Sequence, residues 1–172
     1  MDGMLAEPAI IHRPAQPYVA IRTFVTMDTI GTVVPPLNQE VFRWLVSRGA
    51  PVGPPFWKYN VIDMERGLEI EAGTALAEPV PGDGRVLADV LPTGRYVSAY
   101  HVGHPATLMS ATATLLEWAA DRGLRWDVSP SPEGERWRCR LELYHTDPRD
   151  EPDMNKWETQ LLFRLADGDG PG

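Results

Sequence analysis

The stretches "FRWLVSRG" (Phe42–Gly49) and "LEWAADRG" (Leu116–Gly123) carry Trp, Arg and Gly at the same spacing, so Trp44 and Trp118, Arg48 and Arg122, and Gly49 and Gly123 each lie 74 residues apart. Upstream, "YVAIRTF" at Tyr18–Phe24 matches "YVSAYHV" at Tyr96–Val102, 78 residues on, each behind a proline-bearing approach ("RPAQP" and "LPTGR"). Two landmarks in the same order at nearly the same offset indicate a duplicated unit with a short insertion between the copies.

Each copy reads strand, helix, strand, strand. In the first, a strand across Ile10–Val25 leads to a helix over Val34–Arg48, where Leu37, Val41, Trp44 and Leu45 recur at helical spacing and Gly49 supplies the stop. "FWKYNVIDM" and "LEIEAGTALA" are the next strands, turned at Glu65-Arg66-Gly67. "VPGDG" (Val80–Gly84) is a linker of turn formers. The second copy has a strand over Val86–Val102, a helix near Pro105–Arg122 with Leu108, Ala111, Leu115 and Trp118 on one face, and strands Arg136–His145 and Trp157–Leu165. The fold class is therefore α+β: a duplicated β-α-β-β unit whose antiparallel sheet carries both helices on one face and leaves a ligand groove on the other. One domain spans 9–166, with repeats 9–79 and 85–166, and disorder is expected for 1–8 and 167–172.

Composition narrows the function. A chain of 172 residues with net charge −8 and no dense basic run is a poor partner for nucleic acid. No apolar run approaches the roughly 20 residues of a membrane span, and "MDGMLAEP" has no signal-peptide character. The single cysteine, Cys139, precludes an internal disulfide and suits a reducing compartment, so cytoplasm is the expected location. His101, His104 and His145 lack metal-ligand spacing, and no phosphate loop, dinucleotide fingerprint or G-x-S-x-G is present. Neither metal nor cofactor is expected.

"RCRLELYHTDP" (Arg138–Pro148) carries the chemistry. Strand alternation sends Cys139, Leu141 and Leu143 into a core and Arg140, Glu142 and Tyr144 to the other face. That second face also gathers Trp57, Tyr59, Tyr96, Tyr100 and Trp157, more aromatic area than water-facing positions usually hold, which favours a lined concavity. There Glu142 would be the charged floor. Arg138 and Arg140 share the face and are placed to ion-pair with it. Cys139 reads as inert core packing, and Trp44 and Trp118 as structural residues on the core faces of their helices.

"LPTGRYVSAYHVGHPATL", then a helix ending "W…RG", then "ELYHTDP" and "W.T.LLFRL", resembles the GyrI-like effector-binding family over about Pro8–Leu165. The resemblance implies an SHS2-type duplicated unit and a groove between the halves lined by aromatics. It puts the family's central glutamate at Glu142 and its first-half aromatic at Tyr59 or Trp57. The implied ligands are lipophilic, aromatic and often cationic compounds, taken up by sequestration or multidrug-type binding. Two other implied roles are hydrolysis of cyclopropane-bearing alkylators, with Glu142 and Tyr59 catalytic, and regulation of a protein such as gyrase. No helix-turn-helix accompanies the domain, so a stand-alone member, monomeric or weakly dimeric, is expected.

Overall fold

Antiparallel pairing joins all the strands into one sheet. The computed structural model describes residues 4–168. The elements are β1 (Met4–Leu5), β2 (Ala9–Arg13), β3 (Gln16–Val25), α1 (Ile30–Ser47), β4 (Pro55–Asp63), β5 (Gly67–Ala75), β6 (Leu87–Leu91) and β7 (Gly94–Val102). They continue with α2 (Leu108–Asp121), β8 (Val128–Ser131), β9 (Gly134–Trp137), β10 (Arg140–Tyr144) and β11 (Glu158–Arg164). The main order is β1-β7-β11-β10-β4-β5-β3-β6, with β2 also on β7 and the β8–β9 hairpin attached to β4.

The duplication is visible in this order. The first half contributes β3-β5-β4 and the second β7-β11-β10, and the halves meet where β4 pairs with β10. Each half lends its leading strand to the other: β2 pairs with β7, and β6 with β3. The matched tryptophans do the same work. Arg48 stacks on Trp44 at 3.7 Å while the Trp44 indole donates to Asp83; Arg122 stacks on Trp118 at 4.1 Å while the Trp118 indole donates to Glu7. Both indoles are half-buried, less enclosed than the core placement expected for them. Gly49 and Gly123 close their helices at φ 66° and 67°, a left-handed conformation that costs a residue with a Cβ roughly 1 kcal/mol.

Two short links force the sheet to curl. Laid flat at about 4.8 Å per strand, β7 and β6 would sit roughly 29 Å apart. The link between them is only Pro92-Thr93, which spans at most about 10 Å. Pro14-Ala15 makes the matching link between β2 and β3. The inner face of the curl consequently holds a core of Tyr18, Ala20, Phe56, Tyr96, Cys139, Leu141, Leu143 and Leu162. Both helices pack on the outer face. On α1, Val34, Val41 and Leu45 are fully buried, each contributing about 1.5–3 kcal/mol.

Four boundaries differ from the expected ones. The long strand of each half is broken by its Pro-bearing link into two strands that pair with different partners. α1 starts at Ile30 rather than Val34, because Pro35 and Pro36 lie inside the helix and not at its first turn. Met4 and Leu5 are strand residues paired with Val102 and His101, although no order was expected before residue 9. Asp167 ion-pairs with Arg164; residues 1–3 and 169–172 lie outside the described residues. Among the described residues no helix is long and apolar enough to cross a membrane.

Candidate functional site

α1 covers β3 and β5 through Val34, Ile70 and Ala72, and α2 covers β7 and β11 through Ala111, Leu115, Val97, Ala99 and Leu161. Between them β4 and β10 form the central strip of the sheet. Along that strip burial alternates. Phe56, Lys58 and Asn60 of β4 and Leu141 and Leu143 of β10 are buried toward the curl, whereas Trp57, Tyr59, Arg140, Glu142 and Tyr144 are half-buried on the helix side. Trp57, Tyr59, Glu142 and Tyr144, expected to line a groove on the face opposite the helices, therefore sit on the face that carries them, between the two. The opposite face curls around the core, and beside Glu71, Lys58 and Asn60 it opens on a cavity of about 510 Å³.

Glu142 stands directly across from Trp57 in the β4–β10 register. The hydroxyls of Tyr59 and Tyr144 both donate to Glu142 Oε1, at 2.9 and 2.7 Å, and Oε2 has no hydrogen-bond partner among the described residues. The Tyr144 ring meets Trp57 edge-on, centroids 5.5 Å apart. Trp57 is fixed from the helix: its indole donates to Asn38 Oδ1 at 2.7 Å, and Asn38 Nδ2 donates to the Phe56 carbonyl at 3.3 Å. A bulge after Tyr59 re-aims β4 beside this group. Burial pushes the Glu142 carboxyl upward, and the two phenol bonds and Arg140 only partly offset it. Burial, with the neighbouring carboxylate, raises both phenols. One carboxyl and two phenols thus form a single hydrogen-bonded group, a set suited to orienting a ligand or passing a proton.

A second glutamate, Glu71, is compensated differently. Glu71 is 1% exposed on the inner face, where Tyr18 donates to Oε1 at 2.6 Å and Asn60 to Oε2 at 2.5 Å. Arg22 at 3.3 Å and Lys58 at 3.7 Å complete its ion pairs. Although burial raises it, Lys58 and these bonds win and hold its carboxyl below the usual range. Among the described residues no cation lies within 4.0 Å of Glu142. Arg138 turns away to Asp127 at 4.0 Å, and Arg140 forms no ion pair with Glu142, contrary to the placement expected for both. The strand is interrupted between Trp137 and Arg140, which puts Arg138 out of phase with the residues after it.

Three expected residues fall away from the site. Tyr96 is 2% exposed in the inner core, its hydroxyl donating to the Pro92 carbonyl. Tyr100 shares that face of β7 and is exposed beside the His145 ring at 5.9 Å. Trp157 precedes β11 and donates to the Glu151 carbonyl at 2.7 Å; no hydrogen bond or ring contact joins it to Glu142 or its phenols. Cys139 is buried and free, as the alternation requires, and burial pushes its thiol upward. Asn38 is the residue that sequence reasoning missed. Its one signal was a polar side chain beside Leu37 in the apolar stripe of α1.

A family model described as a GyrI-like small molecule binding domain matches residues 6–166. The chain belongs to the GyrI-like family. No curated protein matches the sequence. Among solved structures, the EcmrR C-terminal domain aligns with a TM-score of 0.69 at 18% identity, covering 94% of this GyrI-like chain and 98% of that one. Against EcmrR in a DNA-bound transcription complex the TM-score is 0.71 at 19% identity, and this chain spans 58% of that longer one. SAV2435, bound to tetraphenylphosphonium, aligns at a TM-score of 0.60 and 9% identity over 94% of both chains. A protein from Listeria innocua described as a hydrolase aligns at 0.61 and 17%, over 93% of this chain and 92% of that one. These likenesses show the fold, and the family model describes it as a small molecule binding domain.

Proposed function

We propose that this GyrI-like domain takes a lipophilic aromatic small molecule onto the β4–β10 strip between its helices, against Trp57, Tyr59 and Tyr144, with Glu142 as the polar anchor. The observation that carries the reading is a half-buried glutamate whose Oε2 is unpartnered while two phenols hold Oε1, framed by a tryptophan locked from α1. Each ring contact contributes about 0.5–1.5 kcal/mol beyond burial. Tetraphenylphosphonium in SAV2435 supports an apolar, ring-bearing ligand. A permanent positive charge is not required, because burial drives Glu142 toward its neutral form.

The test is titration of the neutral dye N-phenyl-1-naphthylamine into wild type, Trp57→Ala and Glu142→Gln, read by fluorescence. Trp57→Ala should weaken binding by about tenfold, or about 1.4 kcal/mol. Unchanged affinity in Trp57→Ala would remove the strip as the binding place.

The second reading is hydrolysis on the same residues, of which opening of a cyclopropanoid alkylator is one case. A carboxyl whose pKa burial raises is suited to general acid work, and the Tyr59 and Tyr144 hydroxyls are in hydrogen-bond contact with it. Mass spectrometry separates the readings: a binder returns its ligand unchanged, a hydrolase returns it heavier by one water. Tyr59→Phe would slow turnover while leaving binding of an unreactive ligand nearly intact.

A further inference from the structure

Arg140 lies two residues from Glu142 on the same strand and face, and its surroundings are unusual for an arginine. Its guanidinium carbon sits 4.6 Å from the Phe163 ring centre, 4.7 Å from Trp137 and 5.7 Å from Tyr59, the phenol that also bonds Glu142. No carboxylate comes within 4.0 Å of it, and none of its N–H groups has a hydrogen-bond acceptor among the described residues. Nε is fully enclosed without a partner, and so is the indole nitrogen of Trp137 beside it. Elsewhere in this chain a buried arginine is saturated: Arg164, 3% exposed, donates to Asp127, Asp167 and the Thr93 carbonyl. A buried donor left without an acceptor costs about 1–3 kcal/mol, and a desolvated charge costs more. The rings around Arg140 return part of that through cation–π contact but offer no acceptor.

We infer that Arg140 is the specificity-determining residue of the groove, and that the ligand carries an acceptor oxygen, strongest as a carboxylate or sulfonate, which the guanidinium binds while the aromatic body lies on Trp57, Tyr59 and Tyr144. This rests on the groove reading proposed above and adds the sign of the charge it selects. Arg140 supplies a fixed positive charge without a carboxylate partner, beside a carboxyl whose ionisation burial disfavours, so an aromatic acid or conjugated carbonyl compound gains where a permanent cation does not. The guanidinium fork suits such oxygens geometrically as well as by charge.

The experiment compares 8-anilinonaphthalene-1-sulfonate with its neutral analogue N-phenyl-1-naphthylamine, and with tetraphenylphosphonium, on the whole protein and on Arg140→Met and Arg140→Lys. Wild type should bind the sulfonate more tightly than the neutral dye. Arg140→Met should weaken the sulfonate at least tenfold, change the neutral dye less than threefold, and leave tetraphenylphosphonium unchanged or tighter. Arg140→Lys keeps the charge without the planar fork, should retain an intermediate sulfonate affinity, and serves if the methionine variant does not fold. Equal losses for the sulfonate and the neutral dye make Arg140 a packing residue and overturn the inference. A neutral dye that binds in a Trp57-dependent way, with no preference for the sulfonate in wild type, overturns it while leaving the groove standing. Absence of Trp57-dependent binding by any of the three removes both.

Discussion

Tyr18 and Tyr96 occupy the same place in the two copies, and each is 2% exposed in the inner core, yet their hydroxyls do different work. Tyr18 donates to the Glu71 carboxylate at 2.6 Å; Tyr96 donates to the Pro92 carbonyl at 2.5 Å. Phenylalanine in either place keeps the ring packing and deletes one donor. A bond to a charged acceptor is worth about 1.5–3 kcal/mol and a neutral one about 0.5–1.5. In a domain of this size 1 kcal/mol moves Tm by about 2–4 °C. Tyr18→Phe should therefore lower Tm by about 7 °C and Tyr96→Phe by about 3 °C at neutral pH. The first loss depends on pH. Glu71 is held below its ordinary range in the fold, so its stabilisation is present above the unfolded carboxylate value and is lost as pH falls through the lowered one. The Tyr18→Phe deficit should narrow over that acid window, while the Tyr96→Phe deficit stays level. Thermal unfolding followed by circular dichroism from pH 7 down to the acid limit of reversibility reads both. Equal deficits at neutral pH, or a Tyr18→Phe deficit that does not shrink in acid, would refute the charged-acceptor argument.

Glu142 has the opposite sign. Its raised carboxyl is stable while protonated, and that contribution is lost as pH rises through the raised value, so Glu142→Gln should match wild type in acid and melt higher above it; a lower Tm for the variant at neutral pH would reject this. Asn38→Ala removes two part-buried bonds, and the one that fixes the Trp57 indole is worth about 0.5–1.5 kcal/mol; N-phenyl-1-naphthylamine titration should show a loss of about two- to tenfold. Gly49→Ala and Gly123→Ala meet open space but force a Cβ into φ 66° and 67°, so calorimetry should find nearly equal losses of about 1 kcal/mol for the two.

The duplication, the antiparallel α+β class and the inward face of Cys139, Leu141 and Leu143 were legible because each rests on short-range spacing. Which face of the sheet the second set of residues looks onto was not. A curled sheet buries both faces, so alternation separates the two sets of side chains without saying which meets the helices. Tyr96 shows the limit: its match with Tyr18 placed it correctly in the repeat, but only the curl shows that both rings belong to the core. Glu71 reads as a soluble residue in "LEIEAG", since Lys58, Asn60, Tyr18 and Arg22 reach it from other strands. Glu142, Tyr59, Tyr144 and Trp57 do meet, because β4 and β10 are adjacent strands.

The exchange of leading strands bears on what half of this chain is worth alone. Cut at the linker, the first half would keep β3 but lose β6 from its edge, and Trp44 would lose Asp83; the second would lose β2 from β7, and Trp118 would lose Glu7. Every one of those vacancies is the one that the other half fills. A lone unit would therefore leave a hydrogen-bonding edge and an indole donor open. In the tandem chain each half fills the other's vacancy, and of the two equivalent central strands β4 brings Trp57 and Tyr59 to their junction while β10 brings Arg140, Glu142 and Tyr144.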